Sequence, residues 1–157
     1  PAVQGGPIMN TILAKAIAFE EASSNEFKNY SKQIIINAKN LADLFISQGL
    51  RVVSGGTDNH LMLIDTRSIG ITGDIAEKKL NSVGIVVNKN AIPYDPLPPK
   101  ITSGIRIGTP AITTRKISNN DLLQIGNLIV ETLKKPEKKL SIISDEVKKI
   151  MNKLPLP

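Results

Sequence analysis

The hydrophobic period of this chain changes at Gly49, and that change limits the possible folds more than any other feature. Before it, Ile8, Ile12, Ala16 and Phe19 recur at helical spacing beside a small-residue stripe of Ala14, Ala18 and Ala22. Phe27, Tyr30, Ile34, Ala38, Leu41 and Phe45 then mark one face of a longer helix, opened by Ser24 or Asn25 and ended by Gly49. After it, Leu50–Ser54 and His60–Asp65 read as strands around the turn Gly55–Asn59. Thr72 is placed to cap a helix running through Ala76 and Leu80 to Gly84, and Ile85–Asn88 reads as a third strand. Ala91–Lys100 carries Pro93, Pro96, Pro98 and Pro99, so it cannot be helical and reads as a stiff loop. A fourth strand follows around Arg106. Ser118 and Asp121 open a helix with Leu122, Ile125, Ile129 and Leu133 on one face, and Pro136 separates it from a last helix over 141–152. The order predicts an α+β structure, a small and mostly antiparallel sheet with helices on one face. The first helix differs in character from the rest, which divides the chain into 1–23 and 24–157.

The length suits a substantial core, and 41% hydrophobic with 22% charged residues is an ordinary globular balance. No apolar run approaches the length of a membrane span. Without cysteine, and with His60 as the sole histidine, thiolate and multi-histidine metal sites are excluded within this sequence. The net charge of +6 invites a nucleic-acid reading, but the excess is lysine and aromatics are only 3%, so stacking platforms are missing. The sequence opens at Pro1 without methionine and runs straight into a glycine-rich turn, as a piece of a longer polypeptide would.

Four segments carry chemistry. In Ser103–Pro110, strand alternation puts Ile105 and Ile107 on one face and Gly104, Arg106 and Gly108 on the other. A guanidinium between two residues without side chains has open space, which suits a two-pronged clamp for carboxylate or phosphate. A structural ion pair on an edge strand fits the spacing equally. Gln4-Gly5-Gly6-Pro7 runs into a helix start and offers bare N–H groups to an anion, though such a turn also serves as plain punctuation. Asn88 and Asn90 share a strand face, with amides for a polar heterocycle or for the neighbouring loop backbone. His60, beside Asp58 and Asn59, reads as structural before it reads as a general base.

Taken in order, Gln4–Pro7, Val52–His60, Val87–Asn90 and Thr102–Ala111 closely resemble the serine hydroxymethyltransferase family, over essentially the whole chain and weakening only after about Lys134. The resemblance implies the C-terminal small domain of a pyridoxal-phosphate enzyme of fold type I, the aspartate-aminotransferase-like class, preceded by a helix from the end of the cofactor domain. It implies interconversion of serine plus tetrahydrofolate with glycine plus methylenetetrahydrofolate, in the cytoplasm, as a homodimer or larger homo-oligomer. By the same resemblance Arg106 grips the substrate carboxylate and Asn90 contacts folate. Gly6 reaches the cofactor phosphate of the partner subunit, and Arg115 is a less direct basic neighbour of the active site. His60 acquires no role. The family's cofactor-anchoring lysine and pocket carboxylate lie upstream of these motifs, so the chain alone should be inactive. Leu97 and Lys100 depart from the family pattern of a basic residue near the first position and an aromatic or apolar one near the second. A different fold-type I enzyme, or a non-enzymatic basic module, would share some of these features without responding to tetrahydrofolate.

Overall fold

A computed structural model describes residues 2–3, 5–134 and 140–156. They form two compact units, Pro1–Gln33 and Ile34–Pro157. The expectations for Gln4 and Pro136 lie outside the described residues.

In the first unit, α1 (Met9–Ser23) buries none of its residues and leaves Ile12, Ile17 and Phe19 exposed. Ser24 ends α1 by donating its N–H to the Glu21 carbonyl, and its hydroxyl accepts the Phe27 N–H at 3.1 Å to start α2 (Asn25–Ser47). The expected serine cap is present, in the geometry that satisfies an orphan donor of the first turn.

The second unit is built on a four-stranded sheet of β1 (Arg51–Val52), β2 (Leu61–Asp65), β3 (Asn88–Asn90) and β4 (Gly104–Gly108), in the order β1-β2-β4-β3 with every pair antiparallel. The register Val52↔Ile64↔Ile105 and Met62↔Ile107 aligns the apolar positions on one face. There they join one core with the rest of α2 (Ala38, Leu41, Phe45) and α3 (Gly73–Ser82). α5 (Asn119–Lys134) and α6 (Leu140–Met151) contribute Leu122, Ile129, Val147 and Ile150. Gly126 lets α5 lie against α2, since a Cβ there would collide with Leu44 and stand 2.9 Å from Leu41 Cδ2. The α+β class and the antiparallel sheet with helices on one face are as the periodicity predicts.

Three elements differ from the sequence reading. β1 stops at Val52 because Val53–Gly55 winds into a 3-10 turn with Ser54 and Gly55 in the left-handed region. The third strand begins, rather than ends, at Asn88. Continuing the register Asn88↔Arg106 would set Val87 and Val86 opposite Ile107 and Gly108, still within β4. Pairing nevertheless starts only at Asn88, and Val87 and Val86 line a cleft beside Arg106 instead. After β4 the chain enters α4 (Pro110–Thr114), a short helix the sequence reading omitted. Its signal was present: Thr109 precedes a proline at the first helical position, where the missing N–H costs nothing.

Candidate functional site

The four arginines sort themselves by what they touch. Arg51 and Arg67 both reach Asp65, each at 2.8 Å, and Asp65 is almost fully buried. The Arg67 hydrogen bonds outweigh burial and hold the Asp65 carboxyl below its ordinary value. Arg115 donates to the carbonyls of Met151, Leu154 and Pro155 at 2.7–3.1 Å, closing the C-terminal end of α6 where partial negative charge collects. Its guanidinium is therefore committed to structure. Arg106 alone makes no ion pair or side-chain hydrogen bond among the described residues, and it is exposed.

Arg106 projects from the sheet face opposite the core, where Leu63 on β2 and Asn88 on β3 are its cross-strand neighbours. It lines a cleft of about 400 Å³ with His60, Leu61, Val87, Asn88 and Gly108. The space comes from the Gly108 side only, where an added Cβ would make ordinary contacts of 3.5–3.8 Å. Gly104 is buried instead: a Cβ there would stand 2.7 Å from Ile92 Cγ2 and 2.9 Å from the Ile64 carbonyl. The glycine before Arg106 thus admits the proline loop, and the open face extends in one direction. The backbone carbonyl of His60 accepts the Thr109 N–H at 3.0 Å, a bond that does not involve the imidazole. Its exposed side chain nevertheless belongs to the Arg106 cleft.

Both ends of β4 are fixed. At the far end, Asn37 on α2 donates to Thr113 Oγ1 at 2.9 Å, Thr113 donates to the Thr109 carbonyl, and Thr109 donates to the Ile34 carbonyl at 2.9 Å. At the near end sits Asp95. Its Oδ1 accepts from Ser103 Oγ at 2.6 Å and the Leu97 N–H at 2.9 Å, while Oδ2 accepts from the Ser103 N–H at 2.8 Å and the Ile92 N–H at 3.1 Å. Burial raises this carboxyl, but the Ser103 hydroxyl and the three N–H groups prevail and hold it well below the ordinary carboxylate range. The first N–H groups of α3, at Gly73 and Asp74, donate to the Thr102 and Ile101 carbonyls, while the Thr72 hydroxyl turns to Asp74. Tyr94 and Thr102 are held at φ 56° and 61°, a strain that persists only where surrounding contacts over-determine the backbone.

Asn90 is half-buried at the end of β3 and donates one amide N–H to the Ala91 carbonyl at 2.7 Å, so part of its capacity serves the loop. By register Asn88 and Asn90 lie on the Arg106 face. Lys100 is exposed and Leu97 half-buried on the same loop. Gly6 is exposed, with open space where a Cβ would be, in the unit that precedes the sheet. The sequence reading missed Asp95 and the Asn37–Thr113–Thr109 chain. Asp95 two residues before Leu97 is an Asx-turn signal between prolines; the chain joins residues more than seventy positions apart and leaves no local trace.

Residues 1–129 match the family model described as serine hydroxymethyltransferase. A curated relative, serine hydroxymethyltransferase of Coprothermobacter proteolyticus, is 51% identical over 156 residues, covering 99% of this chain. The chain spans 38% of that relative's length. With the motif-bearing loops, the arginine strand and the sheet all inside the matched residues, the chain belongs to the serine hydroxymethyltransferase family.

Proposed function

We propose that this chain is the C-terminal part of a pyridoxal-phosphate-dependent serine hydroxymethyltransferase, contributing the substrate-carboxylate clamp and a folate contact to a site completed by residues outside it. The observation that carries this reading is Arg106: an exposed guanidinium without a described partner, in a cleft, on a strand anchored at both ends. An arginine fork can meet both oxygens of a carboxylate in one plane, which fixes direction as well as position. Serine or glycine held this way presents its α-carbon in one orientation, and orientation is most of what a positioning residue supplies. Asn90 keeps its amide oxygen for the polar edge of tetrahydrofolate.

Pyridoxal phosphate, when bound, supplies the electron sink for bond cleavage at the α-carbon. Gly6 fits a contact to its phosphate. Nothing lies within 4 Å of where a Cβ on Gly6 would stand, and Ile8 at the start of α1 makes no side-chain cap. The first turn holds no acidic residue, though Asn10 Oδ1 takes the Thr11 N–H. In this reading Gly6 serves the partner subunit of a cytoplasmic homodimer, and the chain alone is inactive. No helix among the described residues is long and apolar enough to cross a membrane.

Steady-state kinetics of the full-length protein test the proposal. Arg106→Ala should raise the serine KM steeply while leaving the tetrahydrofolate KM near its original value. Unchanged serine kinetics would overturn it.

A further inference from the structure

We propose that Asp95 is a positioning residue for the folate-side contact, pinning the proline-rich loop so that Asn90 is held independently of the carboxylate clamp at Arg106. The inference rests on the function proposed above and assigns a role to a residue that touches neither ligand in that reading.

The loop leaves the sheet at Asn90 and returns at Ser103, and Asn90 pairs with Gly104 across the β3–β4 ladder. Between these points it contains turns but no helix or strand. One carboxylate gathers donors from its start, middle and end: Ile92, Leu97 and Ser103. Ile92 is then pressed over Gly104, close enough that even a methyl group there would collide, and it lies two residues from Asn90. Asp95 therefore sets where Ile92 sits, and Ile92 sets how Asn90 leaves the strand. A carboxylate suits the task because all four partners donate, and a carboxylate only accepts. An amide would turn an NH₂ group toward at least one of these donors.

Arg106 depends on this pin less than Asn90 does, because its strand has a second anchor. It is two residues beyond Gly104, paired with Leu63 and Asn88 on either side, and β4 is anchored beyond it through Thr109. Loosening the loop should therefore disturb the two substrates unequally, a split that a merely structural aspartate would not produce.

The test uses the full-length protein with Asp95→Asn, Ser103→Ala and, as a control for lost stability alone, Asp121→Asn, which weakens the hydrogen-bonded start of α5 away from the loop. Asp95→Asn should raise the tetrahydrofolate KM about tenfold, the scale of one charge-assisted hydrogen bond, with the serine KM within about twofold. Ser103→Ala, which keeps the three backbone donors, should move the tetrahydrofolate KM less and in the same direction. Asp121→Asn should lower Tm and move neither KM. A parallel rise of both KM values, or none in either loop variant, would overturn the inference while leaving the proposed function standing. If Asp95→Asn does not fold, Ser103→Ala decides alone: an unchanged tetrahydrofolate KM overturns the inference. A wild-type protein that does not use tetrahydrofolate would overturn the proposed function, and this inference with it.

Discussion

At the scale of single residues, the distinction that matters is between polar groups with structural partners and those without. Asn37 is buried and tied to Thr113, and through it to the end of the arginine strand. Asn37→Ala should lower stability by about 2 kcal/mol, because it strands the Thr113 hydroxyl network in a dry interior; urea unfolding with an unchanged slope would check this. Asn37→Asp should cost at least as much, by burying charge. The role proposed for Arg106 was half legible in the sequence. Strand alternation gave its face, but an ion pair could be set aside only once Asp65 was seen to hold Arg51 and Arg67. Gly104 was misread for a related reason. Its space is filled by Ile92, a residue twelve positions away whose approach depends on how Asp95 folds the loop.

At the scale of elements, close approach explains the glycines that periodicity cannot. Gly73 opens α3 directly against the end of the loop, where a Cβ would collide with Thr102 Oγ1 and the Gly104 carbonyl. One partner is strand backbone and the other is held at a left-handed φ, so neither yields easily. Gly73→Ala should destabilise by roughly 1–3 kcal/mol as an overpacking change. A variant as stable as wild type would contradict this packing. Helices α2, α5 and α6 were readable because each carries an apolar stripe several turns long, and a long stripe averages out local exceptions. α4 and β3 were not. α4 is a single turn and β3 three residues, too short for a periodic stripe to show, and the apolar run 85–87 that precedes β3 points to a strand where none forms.

At the scale of the whole molecule, both carboxylates that organise the sheet's near end are held below their ordinary values in the folded state. A carboxyl lowered in the native state adds stability above its unfolded value, about 3.9, and loses it as pH falls through the folded value. Thermal stability should therefore be level from neutral pH down to about 5 and fall progressively below about 4. Asp65→Asn should lose on the order of 2 kcal/mol at neutral pH, less than a wholly buried pair because both arginines stay exposed to water. Its melting temperature should also be less sensitive to acid than that of wild type. The central claim, that Arg106 binds a carboxylate, is tested most directly by comparing two ligands that differ only in that group. Binding of glycine and of glycinamide should be measured by calorimetry on the full-length protein and on Arg106→Ala. Glycine affinity should fall on the order of a hundredfold in the variant while glycinamide affinity stays within about twofold, since the interaction lost needs both partners. Equal losses for both ligands, or no loss for glycine, would contradict the carboxylate clamp.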